Sequence, residues 1–290
     1  MIHKVPIDGE WWEVSDEELA NTSEETRELV LQREYDAKMN PLAHFLAHGV
    51  KWHKDVKQLA GGRLVRYPSP YPEKWKNDGV AFLNDWKSDI SLLLGPNQQG
   101  KTYIGSAWSG LRVVPMDKNA PIFTETPVEW HEWGGPVTWV VASYSWDNVG
   151  TVWKRYQELF PRHELGPYAS DWGRDGDIGR RKSLSFRSSQ TQSLQLTCGS
   201  TLKFLCYTQQ QHHWEGFDAD GAHLDEQCPI EKMTGLQRGF TTRGDYTPIC
   251  MTLTGHVLED RPDTGAGGWI KDTLWEPIQD SARLSATDSA

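Results

Sequence analysis

Residues 92–108 read LLLGPNQQGKTYIGSAW, an apolar run that breaks into a polar loop and resumes as a mixture of small and aromatic residues. Gly95, Gly100, Lys101 and Thr102 satisfy the G-x-x-x-x-G-K-[ST] pattern of a phosphate-binding loop. So short a pattern recurs by chance, and its flanks decide whether it is used. "DISLLLG" (89–95) suits a strand buried on both faces, and "KTYIGSAWSGLR" (101–112) continues as a helix. Strand, loop and helix is the order that such a loop requires. The loop Gly95, Pro96, Asn97, Gln98, Gln99 and Gly100 then turns backbone N–H groups and a helix N-terminus towards phosphates. Lys101 neutralises the β and γ oxygens, and the Thr102 hydroxyl ligates Mg²⁺. ATP and Mg²⁺ are the expected ligands.

Working outward, "PVTWVVASY" (136–144) reads as a second buried strand, followed by the helical "SWDNVGTVWKRYQELF" up to Pro161. Within 180–207, alternation around Gly199-Ser200 predicts an antiparallel hairpin. "GFDADGAHLDEQ" offers a short strand ending in Asp225-Glu226, and "YTPICMTLTG" another ending in Thr254-Gly255. Alternating strands and helices imply an α/β fold with a mostly parallel sheet. A magnesium site of this class needs an acid at the end of a neighbouring strand, which Asp225 supplies. Glu226 beside it is placed to orient and deprotonate an attacking water. The hydroxyls of "TLT" (252–254) can hold that water or sense the γ-phosphate.

Composition narrows the partners. The formal net charge of −10 excludes wholesale polyanion binding and leaves nucleic acid to a local basic stripe. The 15 Trp are amphipathic rings that often sit at clefts and interfaces, so a contacting surface is expected. Cys198, Cys206, Cys228 and Cys250 have no zinc spacing and read as reduced thiols. No signal pattern opens the chain and no run is long enough to span a bilayer, so no membrane partner and a host-cytoplasmic location are expected.

"SDEELANTSEETRELVLQREYDAKMN" (15–40) carries helix signals, ended or redirected by Pro41. "PLAHFLAHGVKWHKDVKQLAGG" (41–62) reads as a second helical stretch ending near Gly61-Gly62, and the prolines of "RYPSPYPEKW" mark a linker. Residues 1–72 are therefore expected to form a small helical appendage, 73–260 the core domain, and 261–290 a loop and tail.

The order "LLLGPNQQGKT", "TWVVAS", "LTCGSTLKFLCYTQQQ", "HHWEGFDADGAHLDEQCP", "ICMTLTGH" resembles the ATPase domain of the large terminase subunit of tailed bacteriophages, a DNA-packaging motor. The resemblance covers roughly residues 75–257 and is most specific in the D-E pair followed by Pro229 and in the later T-x-T-G. It implies a P-loop NTPase with a RecA-like, additional-strand core, hydrolysing ATP to move double-stranded DNA. By family likeness Gly95, Gly100, Lys101 and Thr102 bind nucleotide and Mg²⁺, Asp225 binds Mg²⁺, and Glu226 is the catalytic base. Thr252, Thr254 and Gly255 couple hydrolysis to movement. The implied partners are a homo-oligomeric ring around DNA, a portal protein and a small terminase subunit. A helicase or recombination-type ATPase acting outside packaging is the alternative.

Two features depart from the family, one at a single position and one in length. Some relatives carry an arginine where this chain has Glu215, so an arginine finger would have to come from elsewhere, with Arg180, Arg181 and Arg187 as candidates. The residues after Thr254-Gly255 are too few for a nuclease domain, so no nuclease activity is expected of this chain, which is read as a fragment, as an ATPase encoded apart from a separate nuclease, or as a motor that relies on another cutter. Tyr71 and Trp75 read as packed linker aromatics, with adenine stacking the lesser alternative. His212, His213 and His223 read as loop histidines outside any ligand set.

Overall fold

The computed structural model describes residues 2–7, 10–46, 56–58, 64–66, 80–95, 100–117, 126, 128–129, 131–169, 182–186, 192–240, 247–254 and 268–270. Its strands are β1 (Ile2–Ile7), β2 (Glu10–Ser15), β3 (Val56–Gln58), β4 (Leu64–Arg66), β5 (Ile90–Gly95), β6 (Thr138–Ser143), β7 (Gln192–Gln195), β8 (Thr201–Cys206), β9 (Gly221–Asp225) and β10 (Ile249–Thr254). The helices that matter for the argument are α1 (Asp16–Ala20), α2 (Glu24–Met39), α3 (Pro41–His44), α4 (Lys101–Val113), α5 (Trp146–Leu159) and α6 (Ile230–Phe240).

The central sheet has six strands in the order β5-β10-β9-β6-β8-β7. All neighbours are parallel except β7 and β8, which form the antiparallel hairpin expected around Gly199-Ser200. The phosphate-loop strand β5 does not touch β9, which ends in Asp225; β10 lies between them. That inserted strand makes the sheet an additional-strand, RecA-like P-loop arrangement, as the sequence reading expects.

Each inner strand is buried on both faces, which is why its sequence is almost continuously apolar. Its two-residue period divides the side chains between two cores. Trp139 and Val141 of β6 join Trp108, Tyr156, Phe160 and Phe204 on the side covered by α4 and α5. Val140 and Ala142 join Leu224, Met251, Leu253, Met233 and Leu236 on the side covered by α6. On β10, Ile249, Met251 and Leu253 belong to the α6 side. The alternation therefore sends Thr252 and Thr254 towards α4.

Gly221 begins β9 at a point of close approach. A Cβ there would run into the Trp139 ring and lie 2.8 Å from the Pro248 carbonyl oxygen, which cannot move without disturbing β10. Gly221→Ala is expected to lower stability by about 1–3 kcal/mol through overpacking. Urea unfolding followed by tryptophan fluorescence measures this, and an unchanged midpoint would contradict the tight β9/β6 contact.

The N-terminal segment departs from the purely helical expectation. α1 and α2 lie within the stretch that carried helix signals, and Ser15 caps α1 by accepting from the Glu18 N–H at 3.2 Å while its own N–H donates to Glu18 Oε2 at 2.9 Å. Preceding them, however, β1 and β2 pair antiparallel from Ile2↔Ser15 to Ile7↔Glu10. The Asp8-Gly9 dipeptide between two runs containing Ile, Val and Trp is a hairpin signal that outweighs the short acidic context. Similarly, Val56–Gln58, read as helical, pairs with Leu64–Arg66 as β3 and β4, so Gly61-Gly62 sits between two strands rather than after a helix. Pro41 redirects the chain as expected: α2 ends at Met39 and α3 begins at Pro41, with Asn40 Oδ1 accepting from the Ala43 N–H at 3.2 Å. Leu42, Phe45 and Leu46 are buried in the same core as α4 and α5. A Cβ at Gly110 of α4 would meet Leu42 Cδ2 at 2.5 Å, so residues 41–46 are packed into the wall behind α4.

Candidate functional site

Gly95 closes β5, and the chain is described again from Gly100, whose φ of 74° lies in the left-handed region that favours glycine. Gly100 is the N-cap of α4 and carries no side chain to cap it. The first-turn N–H groups of this 13-residue helix thus face the loop side without a capping side chain, the arrangement that suits an anion. Lys101 and Thr102 open the helix, and Lys101 is largely buried.

Three strand ends meet this helix start. Thr252 stands opposite Asp225 in the β9/β10 register, and Thr254 stands opposite Gly95 in the β10/β5 register. Thr102 Oγ1 donates to Asp225 Oδ1 at 2.8 Å, and Thr252 Oγ1 donates to the same oxygen at 2.7 Å. Glu226 follows β9 with φ 63°, unusual for a residue with a Cβ and costing on the order of 1 kcal/mol or more. Two donors hold it there, the Glu226 N–H among them and a tyrosine hydroxyl whose one proton is shared. Its N–H donates to the Thr252 carbonyl at 2.9 Å, and the Tyr207 hydroxyl reaches the carbonyls of Asp225 and Glu226 at 3.1 and 3.3 Å. The left-handed turn leaves the Glu226 carboxylate within reach of Thr254, whose Oγ1 donates to Oε1 and Oε2 at 3.0 and 3.2 Å.

Electrostatics follow from burial. Desolvation pushes the Asp225 carboxyl up to about 6, against the two threonine hydroxyls and the Lys101 charge that favour ionisation. Desolvation also lowers the Lys101 ammonium, while the negative charges of Glu226 and Asp225 hold it up. Positive and negative groups are thus gathered where neither is well hydrated, and a cation or a phosphate entering the site changes the balance for all of them.

The hydroxyl of Thr102 and the carboxylate of Asp225 are hard oxygen donors on one spot, which suits Mg²⁺. Among the described residues, no three His, Cys, Asp or Glu side chains gather to hold a metal. An ion here would complete its shell from phosphate and water.

Of the residues singled out from sequence, the fold brings together Gly95, Gly100, Lys101, Thr102, Asp225, Glu226, Thr252 and Thr254. Pro96, Asn97, Gln98, Gln99, Gly255, Arg180, Arg181 and Arg187 lie outside the described residues, as do Tyr71 and Trp75. His223, read as a loop histidine, is a correction. It lies within β9 and is fully buried, because the alternation that points Asp225 at α4 points His223 the same way. Burial lowers its imidazole to about 3. His223 Nε2 is 3.2 Å from Thr252 Oγ1, and its Nδ1 is 3.1 Å from the hydroxyl of Tyr156 on α5. Sequence reasoning missed Tyr156 and Tyr207 altogether. Tyr156 stands between Arg155 and Gln157 on an amphipathic helix and Tyr207 at the polar end of an apolar run, and nothing local marks a tyrosine whose hydroxyl is turned to a distant strand. The hydroxyl of Ser143, at the end of β6, is buried with no hydrogen-bond partner among the described residues.

No family model matches this chain, and no curated protein matches it. Solved structures similar to it include large terminases. The large terminase of bacteriophage HK97 matches at 14% identity and a TM-score of 0.43, over 85% of this chain and 42% of that one. A large terminase from a thermophilic bacteriophage matches at 12% identity and 0.41, over 70% and 42%. The large terminase ATPase domain of Thermus phage P74-26 matches at 14% and 0.37, over 69% and 76%. The similarity thus spans less than half the length of the first two of these proteins. The fold class is carried by this chain's own strand order and register.

Proposed function

We propose that this chain hydrolyses ATP as the motor subunit that drives double-stranded viral DNA into a procapsid. The observation that supports an ATPase is the meeting of Lys101, Thr102, Asp225 and Glu226 at adjoining strand ends, with Thr252 and Thr254 hydrogen-bonded to the two acids. In this reading the 95–100 loop and the N-terminus of α4 hold the phosphates, and the Lys101 ammonium draws charge from the transferring group. Bound Mg²⁺, held by Thr102 and Asp225, would neutralise β and γ oxygens. Glu226 accepts the proton of the water that attacks the γ-phosphorus, as the bond to the β,γ-bridging oxygen breaks. Thr254 holds the Glu226 carboxylate until that water arrives.

The packaging role is supported by the sequence run from the D-E pair and Pro229 to T-x-T-G, which resembles large terminases. It implies a ring of copies on double-stranded DNA, a portal, a small terminase subunit and a site in the host cytoplasm. Among the described residues no helix is long and apolar enough to cross a membrane. Arg180, Arg181 and Arg187 remain the candidates for completing a neighbour's site.

The deciding experiment is ATP turnover against protein concentration, with and without long double-stranded DNA, using Glu226→Gln as the blank. Turnover per subunit is expected to rise with both, because a site completed by a neighbour is incomplete in a lone subunit. A rate flat in both, yet abolished in the blank, would leave a self-contained ATPase and favour a role outside packaging.

A further inference from the structure

The residues described so far account for the groups that would touch nucleotide, metal or water, yet a buried polar chain runs away from the site into the sheet. Tyr156 on α5, His223 on β9 and Thr252 on β10 are all buried, and they link hydroxyl to imidazole to hydroxyl over 3.1 and 3.2 Å before reaching Asp225 at 2.7 Å. We propose that Tyr156 and His223 are positioning residues, which orient the Thr252 hydroxyl so that its single proton is committed to Asp225. This rests on the ATPase reading of the site.

The direction of the chain follows from counting protons. An ionised carboxylate only accepts, so Thr252 must donate to Asp225 Oδ1. A threonine hydroxyl has one proton, so towards His223 Thr252 must accept, which places the imidazole proton on Nε2. A neutral imidazole then has a bare Nδ1, and Tyr156 must donate to it. Each member can satisfy its partner in one way only, and every donor points towards Asp225.

Asp225 has use for a fixed donor. In the structure Oδ1 receives both Thr102 and Thr252. When a cation takes the Thr102 oxygen, the Thr102 proton can no longer be counted on to hold the carboxylate, and Thr252 remains. A Thr252 hydroxyl free to rotate would let the Asp225 carboxylate turn with it. The fold also keeps this spot clear. A Cβ at Gly105 of α4 would lie 2.6 Å from both His223 Nε2 and Thr252 Cγ2, so a glycine in mid-helix lets α4 close over the chain without displacing it.

The test uses the full chain. In ¹⁵N-histidine spectra at neutral pH, with the His223 signal assigned by its loss in His223→Gln, the Nε2–H tautomer is expected. Tyr156→Phe and His223→Leu are expected to lower kcat by about 10- to 100-fold, as loss of a supporting partner does at metal sites, while the KM for ATP changes little. His223→Gln, which keeps an N–H for Thr252, should recover most of kcat. A purely structural role predicts the reverse order, since leucine suits a dry site better than glutamine. Wild-type turnover together with an Nδ1–H tautomer, or equal kcat in wild type, Tyr156→Phe and His223→Leu, overturns the positioning role alone. A wild-type protein with the Nε2–H tautomer and no turnover, with or without DNA, overturns the ATPase reading and this proposal with it.

Discussion

Glu226→Gln is expected to bind ATP with near wild-type affinity and to turn it over about 100- to 10,000-fold more slowly, the range that a positioned general base contributes. The variant keeps size and shape and removes only the capacity to take a proton. Its amide can still accept from the Thr254 hydroxyl through the carbonyl oxygen, so the left-handed turn at residue 226, held by backbone bonds to Thr252 and Tyr207, need not change. Binding should therefore survive, since the proposed phosphate contacts come from the loop and the start of α4 rather than from this side chain. Phosphate release measured under saturating ATP, with affinity read separately from a fluorescent nucleotide, separates the two quantities. Normal turnover in this variant would move the base to another residue.

Lys101→Ala is expected to lose turnover by about 100-fold or more and to bind nucleotide more weakly, because the ammonium meets charge in both the bound and the transition states. Its burial makes the loss larger than a surface lysine would show. Desolvation lowers the ammonium, and the Glu226 and Asp225 charges act against that lowering. Removing it takes away a charge that helps Asp225 ionise, so the carboxyl, already pushed up to about 6, moves further in the same direction. Two effects thus act together, lost contact to phosphate and a metal-side acid that ionises less readily. Thermal melts distinguish this from unfolding, and wild-type turnover in a folded Lys101→Ala protein would remove the phosphate-loop reading.

Much of this site was legible because its signals are local. The glycine-flanked loop between an apolar run and a helix needs only consecutive residues, and so does an Asp-Glu pair at the end of a short apolar strand. The hairpin at Gly199 was legible for the same reason. The N-terminal strands were misread where two local signals competed: Gly61-Gly62 fits the end of a helix as well as a strand connection, and pairing with Leu64–Arg66 decides between them.

By itself the amino-acid sequence determined the chemistry on offer: a lysine and a threonine at a helix start, two acids at one strand end and two threonines at another. Those are properties of short segments, set by propensity and alternation. Only the tertiary structure decided that β10 lies between β5 and β9, which puts Thr252 opposite Asp225 and Thr254 opposite Gly95. It alone decided that His223 is buried and joined to Tyr156, and that Tyr207 holds the turn at Glu226. The physical reason is that partners across a sheet are chosen by register and by burial of whole faces. Residues 27 apart, as Thr252 and Asp225 are, or 123 apart, as Thr102 and Asp225 are, meet through the packing of every strand between them.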